Sequence, residues 1–299
     1  MLENINTVLG KINDFVWGVP LIVLILAAGI FLTIRLKGIQ VTKLGKGFKL
    51  MFAKGEQDGH GEISSFGALC TALSATIGTG NIVGVATAIV TGGPGALFWM
   101  WIAALFGTAT KFSECMLAVK YRTIAEDGHV VGGPFYYIEN GMGKNWKWLA
   151  KIFAFFGVWV GLFSIGTFNQ VNGISSAVKN FFDPDTKHVA FKLFGIEYSW
   201  TIVISGIILT ICVGLVIIGG LKRITNVAQV IVPFMAILYV ISALLVIIFN
   251  IDKVPGAFKE IIEGAFGLKA AAGGTLGAII VAMQKGIARG IFSNEAGLG

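Results

Sequence analysis

Five residues in the middle of a long apolar stretch, Ile77-Gly78-Thr79-Gly80-Asn81, carry the groups best suited to binding chemistry. Two glycines one residue apart cost about 1 kcal/mol each relative to Ala in a helix interior. Local unwinding there frees backbone N–H groups on one side and carbonyls on the other. Hydrocarbon satisfies neither, so a break persists only where protein, water or a ligand pairs those groups. A discontinuous helix at mid-membrane is therefore a binding-site hypothesis: amides for an anion, carbonyls for a cation. The competing reading is that the glycines only let helices pack closely. Thr76, Thr79 and Asn81 crowd polar side chains around the pair and favour the functional reading.

Two further stretches carry unusual polarity. In Gly166-Thr-Phe-Asn-Gln-Val-Asn-Gly173, the amides of Asn169, Gln170 and Asn172 are costly in lipid and should face the bundle interior or a cavity. Gln170 could donate to a carboxylate while accepting from an amine, with Phe168 as an apolar wall; hydrogen bonding between helices is the alternative. Shifting the chain by 210 residues lays Gly67–Gly80 on Gly277–Gly290, with Gly67/Gly277, Ala68/Ala278, Ala72/Ala282, Ile77/Ile287 and Gly80/Gly290 in agreement. The expectation is a second break, marked by Gln284, Gly286 and Gly290, facing the first. Lys285 and Arg289 would snorkel or pair. Lys111 and Glu114 stand three apart and are expected to pair along one helix rather than relay protons.

The elements that must position these residues are membrane helices. Hydrophobic residues make up 55% of the 299 and charged residues only 13%. A soluble domain carries about 25% charged residues, so the chain is read as an all-α polytopic membrane protein. Apolar runs place seven spans at about 15–36, 62–90, 95–121, 147–180, 199–219, 224–250 and 270–299. The first run lacks a signal-peptide cleavage site and is read as a permanent helix. The net charge of +7 sits in loops, where it reports orientation and not a nucleic-acid partner. Arg35, Lys37, Lys43, Lys46, Lys49 and Lys54 put the first loop inside the cell and the N-terminus outside. Gly132-Gly-Pro-Phe-Tyr-Tyr-Ile138, too short to span, reads as an interfacial helix anchored by Tyr136 and Tyr137. Cys70, Cys115 and Cys212 lie within spans at no metal-ligand spacing.

Four separated motifs resemble one family. Ser74-Ala-Thr-Ile-Gly-Thr-Gly-Asn-Ile-Val-Gly84, Gly92-Gly-Pro-Gly-Ala-Leu-Phe-Trp-Met-Trp101, Gly132–Ile138 and Gly290-Ile-Phe-Ser-Asn-Glu-Ala-Gly-Leu-Gly299 look like signatures of the alanine-or-glycine:cation symporters, sodium:amino-acid carriers of the cell membrane. The resemblance implies the leucine-transporter-type inverted-repeat fold. An extra N-terminal helix (15–36) would precede a first five-helix repeat (62–250). The first helix of the second repeat (270–299) would follow, with further helices expected beyond Gly299. By position, the resemblance gives the substrate carboxylate to the N–H groups of Thr79 and Gly80, with Asn81 as a side-chain contact or staple. It gives sodium to the backbone carbonyls of Ser74, Thr76 and Ile77. Met283, Gln284 and Gly286 would meet the amino group and small side chain.

The expected function is sodium-coupled symport of alanine or glycine by alternating access, with no enzymatic activity and no cofactor besides the coupling ion. His60, His129 and His188 stand singly, and Gly-Thr-Gly-Asn lacks the Lys-Ser/Thr of a phosphate loop. Proton coupling through Glu114 or Glu295, an ion channel, and a membrane structural subunit are the alternatives. Residues 1–299 alone are expected not to complete transport.

Overall fold

The structure, a computed structural model, describes residues 2–52, 63–163, 165–193, 196–267 and 274–298. Lys54, His60 and the first residues of the second and seventh expected spans lie outside them. Helices dominate: α1 (Leu2–Val16), α2 (Val19–Arg35), α3 (Ile39–Thr42), α4 (Leu44–Met51), α5 (Ser65–Thr76), α6 (Val83–Gly92) and α7 (Gly95–Lys120) in the first half. Then come α8 (Pro134–Met142), α9 (Lys147–Leu162), α10 (Ile165–Phe182), α11 (Trp200–Ile217), α12 (Gly220–Phe249), α13 (Val254–Ala265) and α14 (Thr275–Asn294). Two small antiparallel hairpins complete it: β1 (Thr123–Ile124) with β2 (Val130–Val131), and β3 (Val189–Leu193) with β4 (Ile196–Ser199).

The apolar runs become helices long enough to cross a bilayer: α7, α9 with α10, α11, α12 and α14. The shorter α2 has 17 residues, and α5 and α6, long and apolar enough only together, are bent by 66° at a short break. Local chemistry sets the ends. Pro20 opens α2 and Pro134 opens α8, where a missing N–H is harmless. Ser64 and Ser199 cap α5 and α11, their hydroxyls accepting from the N–H groups of Gly67 and Thr201.

The centre of the assembly is α7, against which α2, α6, α13 and α14 pack. Ile22, Ala103, Ile287 and Ile291 form a buried cluster where α2, α7 and α14 meet. A second cluster, Cys70, Ala228 and Val232, joins α5 to α12. The aromatic start of α7 lies on α13: Phe98 meets Phe266 at 5.2 Å, and the Trp99 indole donates to the Ala265 carbonyl at 3.3 Å. The interfacial helix expected at Gly132–Ile138 is present as α8. Burial first, then the Glu114 carboxylate, pushes the Tyr137 phenol above its ordinary pKa.

Outside the spans, Asp183 ties the end of α10 to the start of α11. Its carboxylate accepts from the Ser199 hydroxyl at 2.6 Å and from the N–H groups of Lys187 and His188. The Ser199 hydrogen bond leads in holding its carboxyl below the usual range. Neither this staple nor the β3–β4 hairpin beside it is signalled by the apolar pattern, which reports burial in lipid and is silent on loops.

Candidate functional site

The glycine pair breaks the helix. α5 ends at Thr76, Ile77 and Gly78 are extended, Thr79–Asn81 make one 3₁₀ turn, and α6 starts at Val83. The freed amides have specific acceptors. Gly78 N–H donates to Asn81 Oδ1 at 2.9 Å, closing the turn on itself. Thr79 N–H and Thr79 Oγ1–H both donate to Gln170 Oε1, at 2.8 and 2.9 Å. Gln170 presses so close that a Cβ on residue 78 would fall within its amide group, so a side chain there would displace the Gln170 amide from Thr79.

The carbonyl side follows by the same logic. In a continuous helix the carbonyls of Ser74, Ala75 and Ile77 would accept from Gly78, Thr79 and Asn81. Those N–H groups donate instead to Asn81 Oδ1, Gln170 Oε1 and Gly78 O. The end of α5 thus presents carbonyl oxygens stripped of their helical donors, at the negative end of its dipole. The hydroxyls of Ser74 and Thr76 are turned away, donating back to Thr71 O and Ala72 O. No group of three His, Cys, Asp or Glu residues able to hold a metal occurs among the described residues. Any cation at the break would therefore meet hard backbone oxygen.

A third element reaches the break. Asn81 Nδ2 donates to Ser293 Oγ on α14 at 2.8 Å. Gly80 lies against the Phe292 ring, 3.2 Å from where its Cβ would be. Just beyond, Asn294 ends α14 and Glu295 turns the chain with φ 53°, a left-handed helix exit. Lys111 and Glu114 pair at 3.5 Å, as the spacing predicts. They also hold this exit, with Glu114 Oε1 accepting from Gly297 N–H at 2.7 Å and Lys111 donating to Glu295 O at 3.4 Å.

The structure therefore gathers Ser74, Thr76, Ile77, Thr79, Gly80, Asn81 and Gln170 at one place. Phe168 stands apart, 71% exposed; two residues from Gln170, it projects from the opposite side of α10. Met283, Gln284 and Gly286 lie elsewhere on α14. That helix runs antiparallel to α6, with Lys285 beside Gly92 and Phe292 beside Gly80. At 1.5 Å per residue, 283–286 sit about 10–15 Å along the axis from Ser293. Met283 packs on the α2–α7–α14 cluster.

The second break expected at Gln284, Gly286 and Gly290 is corrected: α14 is unbroken from Thr275 to Asn294. Gly286 and Gly290 serve packing. A Cβ at 286 would strike Ala96 O and Trp99, and one at 290 would come within 2.9 Å of the Ala103 Cβ. What faces the first break is the exit of α14, which a 210-residue shift places out of register. The available signal was Ser293-Asn-Glu-Ala-Gly297, a polar run with a helix-ending glycine late in an apolar span.

Comparison with known proteins gives the family. Residues 2–299 match the sodium:alanine symporter family. A Haemophilus influenzae protein described as an uncharacterized transporter is 51% identical over 99% of this chain and 61% of its own length. The sodium/alanine symporter AgcS of Methanococcus maripaludis is 44% identical, over 98% of this chain and 61% of its own. The probable sodium/glutamine symporter GlnT of Bacillus subtilis is 40% identical, over 100% and 58%. The chain spans about three fifths of the length of these relatives. On these grounds, and with a broken membrane helix lined by side-chain amides, the chain belongs to the sodium:alanine symporter family, a family of membrane carriers and not of enzymes.

Proposed function

We propose that the protein takes up a small neutral amino acid, alanine or glycine, together with sodium by alternating access on a leucine-transporter-type inverted repeat. One observation carries the reading: the N–H and hydroxyl of Thr79 converge on a single acceptor, Gln170 Oε1. Two donors on one oxygen make the arrangement a carboxylate would meet. Hydrogen bonds to an ionised acceptor are roughly twice as strong as neutral ones. A substrate carboxylate therefore displaces the amide, and Gln170 swings to donate through Nε2 and to accept from the ammonium. Gln170 is the placeholder that keeps the break satisfied between substrates. Gly80 N–H, next along the turn, completes the anion side.

Sodium binds the carbonyls of Ser74, Thr76 and Ile77. Its coordination holds α5 and α6 in the bent form that exposes Thr79, which couples ion to cargo. One sodium ion entering down 100 mV releases about 2.3 kcal/mol. A tenfold gradient adds about 1.4 kcal/mol. The total sustains accumulation of a zwitterion by several hundredfold.

The test uses the full-length gene product in proteoliposomes. Uptake of radiolabelled alanine is measured at fixed pH with sodium or potassium outside, and with alanine, glycine and glutamine as competitors. Uptake is expected to need sodium and to be blocked by alanine and glycine. Undiminished uptake in potassium overturns sodium coupling; blockade by glutamine alone overturns the small-substrate reading.

A further inference from the structure

The segment after α2 is basic and amphipathic without a membrane-spanning role. Residues 35–52 carry Arg35, Lys37, Lys43, Lys46 and Lys49 and not one Asp or Glu. Along α4, Leu44, Phe48 and Met51 recur at helical spacing on one side, and Lys46 and Lys49 fall on the other. The segment touches α7 through α3 but does not close onto it along its length. Between them lies a groove of about 610 Å³, walled on the α7 side by Thr108 and Phe112, neither of them charged. Lys43 and Lys46 stand at its rim. Gln40 lines the groove from α3 and donates to Thr33 Oγ1 and, across it, to Leu105 O.

We propose that this groove holds one anionic glycerophospholipid, its phosphate on Lys43 and Lys46 and an acyl chain along Leu44, Phe48, Met51 and Phe112. Charge complementarity selects the occupant. An inorganic anion would leave the apolar walls wet, and a neutral lipid would leave unanswered two lysines that pair with no carboxylate among the described residues. The loop charge predicts the cytoplasmic leaflet for this face, the side whose surface potential attracts such segments.

The test takes the full-length protein, stripped of lipid in detergent, and titrates it with phosphatidylglycerol or phosphatidylcholine under native mass spectrometry. The wild type is expected to retain phosphatidylglycerol preferentially. A Lys43→Gln/Lys46→Gln variant is expected to bind it about 30-fold more weakly, roughly fivefold per lysine, with phosphatidylcholine unchanged. Phosphatidylglycerol bearing a photoreactive acyl chain is expected to label residues 39–52 and 105–116. Equal retention of the two lipids, no loss in the variant, or labelling elsewhere overturns the proposal, as does a groove closed to the probe by another part of the chain. Should the Gln variant not fold, Lys43→Arg/Lys46→Arg keeps the charge. Its phosphatidylglycerol binding must then fall steeply with salt, and salt-independent binding overturns the proposal.

Discussion

Two glycine-rich stretches of this molecule look alike in sequence and behave oppositely. At Gly78 the helix opens; at Gly286 and Gly290 it runs through unbroken. The difference lies in what stands opposite. Gly78 and Thr79 face Asn81 and Gln170, whose amide oxygens accept the freed N–H groups. Gly286 and Gly290 face Ala96, Trp99, Met100 and Ala103, which offer contact but no acceptor among their side chains. In lipid a backbone bond is released only where a partner waits for it. Glycine spacing permits a break, and neighbouring polarity decides it.

The sharpest way to break this comparison is to remove the permission on the packed side. Gly286→Val forces a side chain into Ala96 and Trp99, and the expected cost is about 3 kcal/mol or more, read as a lowered Tm of the detergent-solubilised protein. A Tm close to wild type would show that α14 does not depend on contact with α7. On the open side, Asn81→Ala strips Gly78 N–H of its acceptor. An unsatisfied half-buried amide costs about 1–3 kcal/mol, so alanine affinity of the full-length protein should fall about 10–100-fold by equilibrium binding, with Tm less affected than in Gly286→Val. Ser293→Ala removes one acceptor from Asn81 Nδ2 and is expected to cost about 1 kcal/mol, near fivefold in affinity. The reverse order for Asn81→Ala and Ser293→Ala would shift the weight from the turn itself to α14.

The smallest effect is expected outside the spans. Asp183 repeats the device of Asn81 outside the membrane, accepting the N–H groups of Lys187 and His188. Its carboxyl is held below the ordinary value, chiefly by the Ser199 hydroxyl. Its contribution is therefore complete above the unfolded carboxyl pKa of about 3.9. It is lost as pH falls through the lower, folded value. Hydrogen-exchange protection factors, corrected for the intrinsic pH dependence of the rate, should fall at Lys187, His188 and Thr201 across that window while that at Gly78 stays constant.

The spans were legible in the sequence because lipid burial demands long apolar runs, and α7, α11 and α12 follow those runs closely. The first break was legible because Thr79 and Asn81 advertise acceptors and donors beside the glycines. Its partner was not. Gly286 and Gly290 carry the same small-residue signal as Gly78, and the residues that neutralise it, Ala96 and Trp99, lie far away in sequence. The role of Gln170 as the acceptor for Thr79 was half visible: its polarity placed it inward, but only the packing of α10 on the 3₁₀ turn decides which amide it meets. The hairpin β3–β4 and the docking of α13 on α7 rest on loop contacts that hydropathy does not encode.

Asn81 invites a mechanical reading, because one side-chain amide keeps a hand on each of two separate elements. Its oxygen latches the turn that follows α5, and its nitrogen tethers the far end of α14. The two grips are set back to back on a rigid planar group, so a rotation that relaxes one must pull on the other. On the proposed function, a rocking of α14 would deliver the tug at the turn assigned to the cargo. Opening towards one side of the membrane and loosening the hold on the load would then be a single event, timed by a two-way clasp rather than by two separate releases.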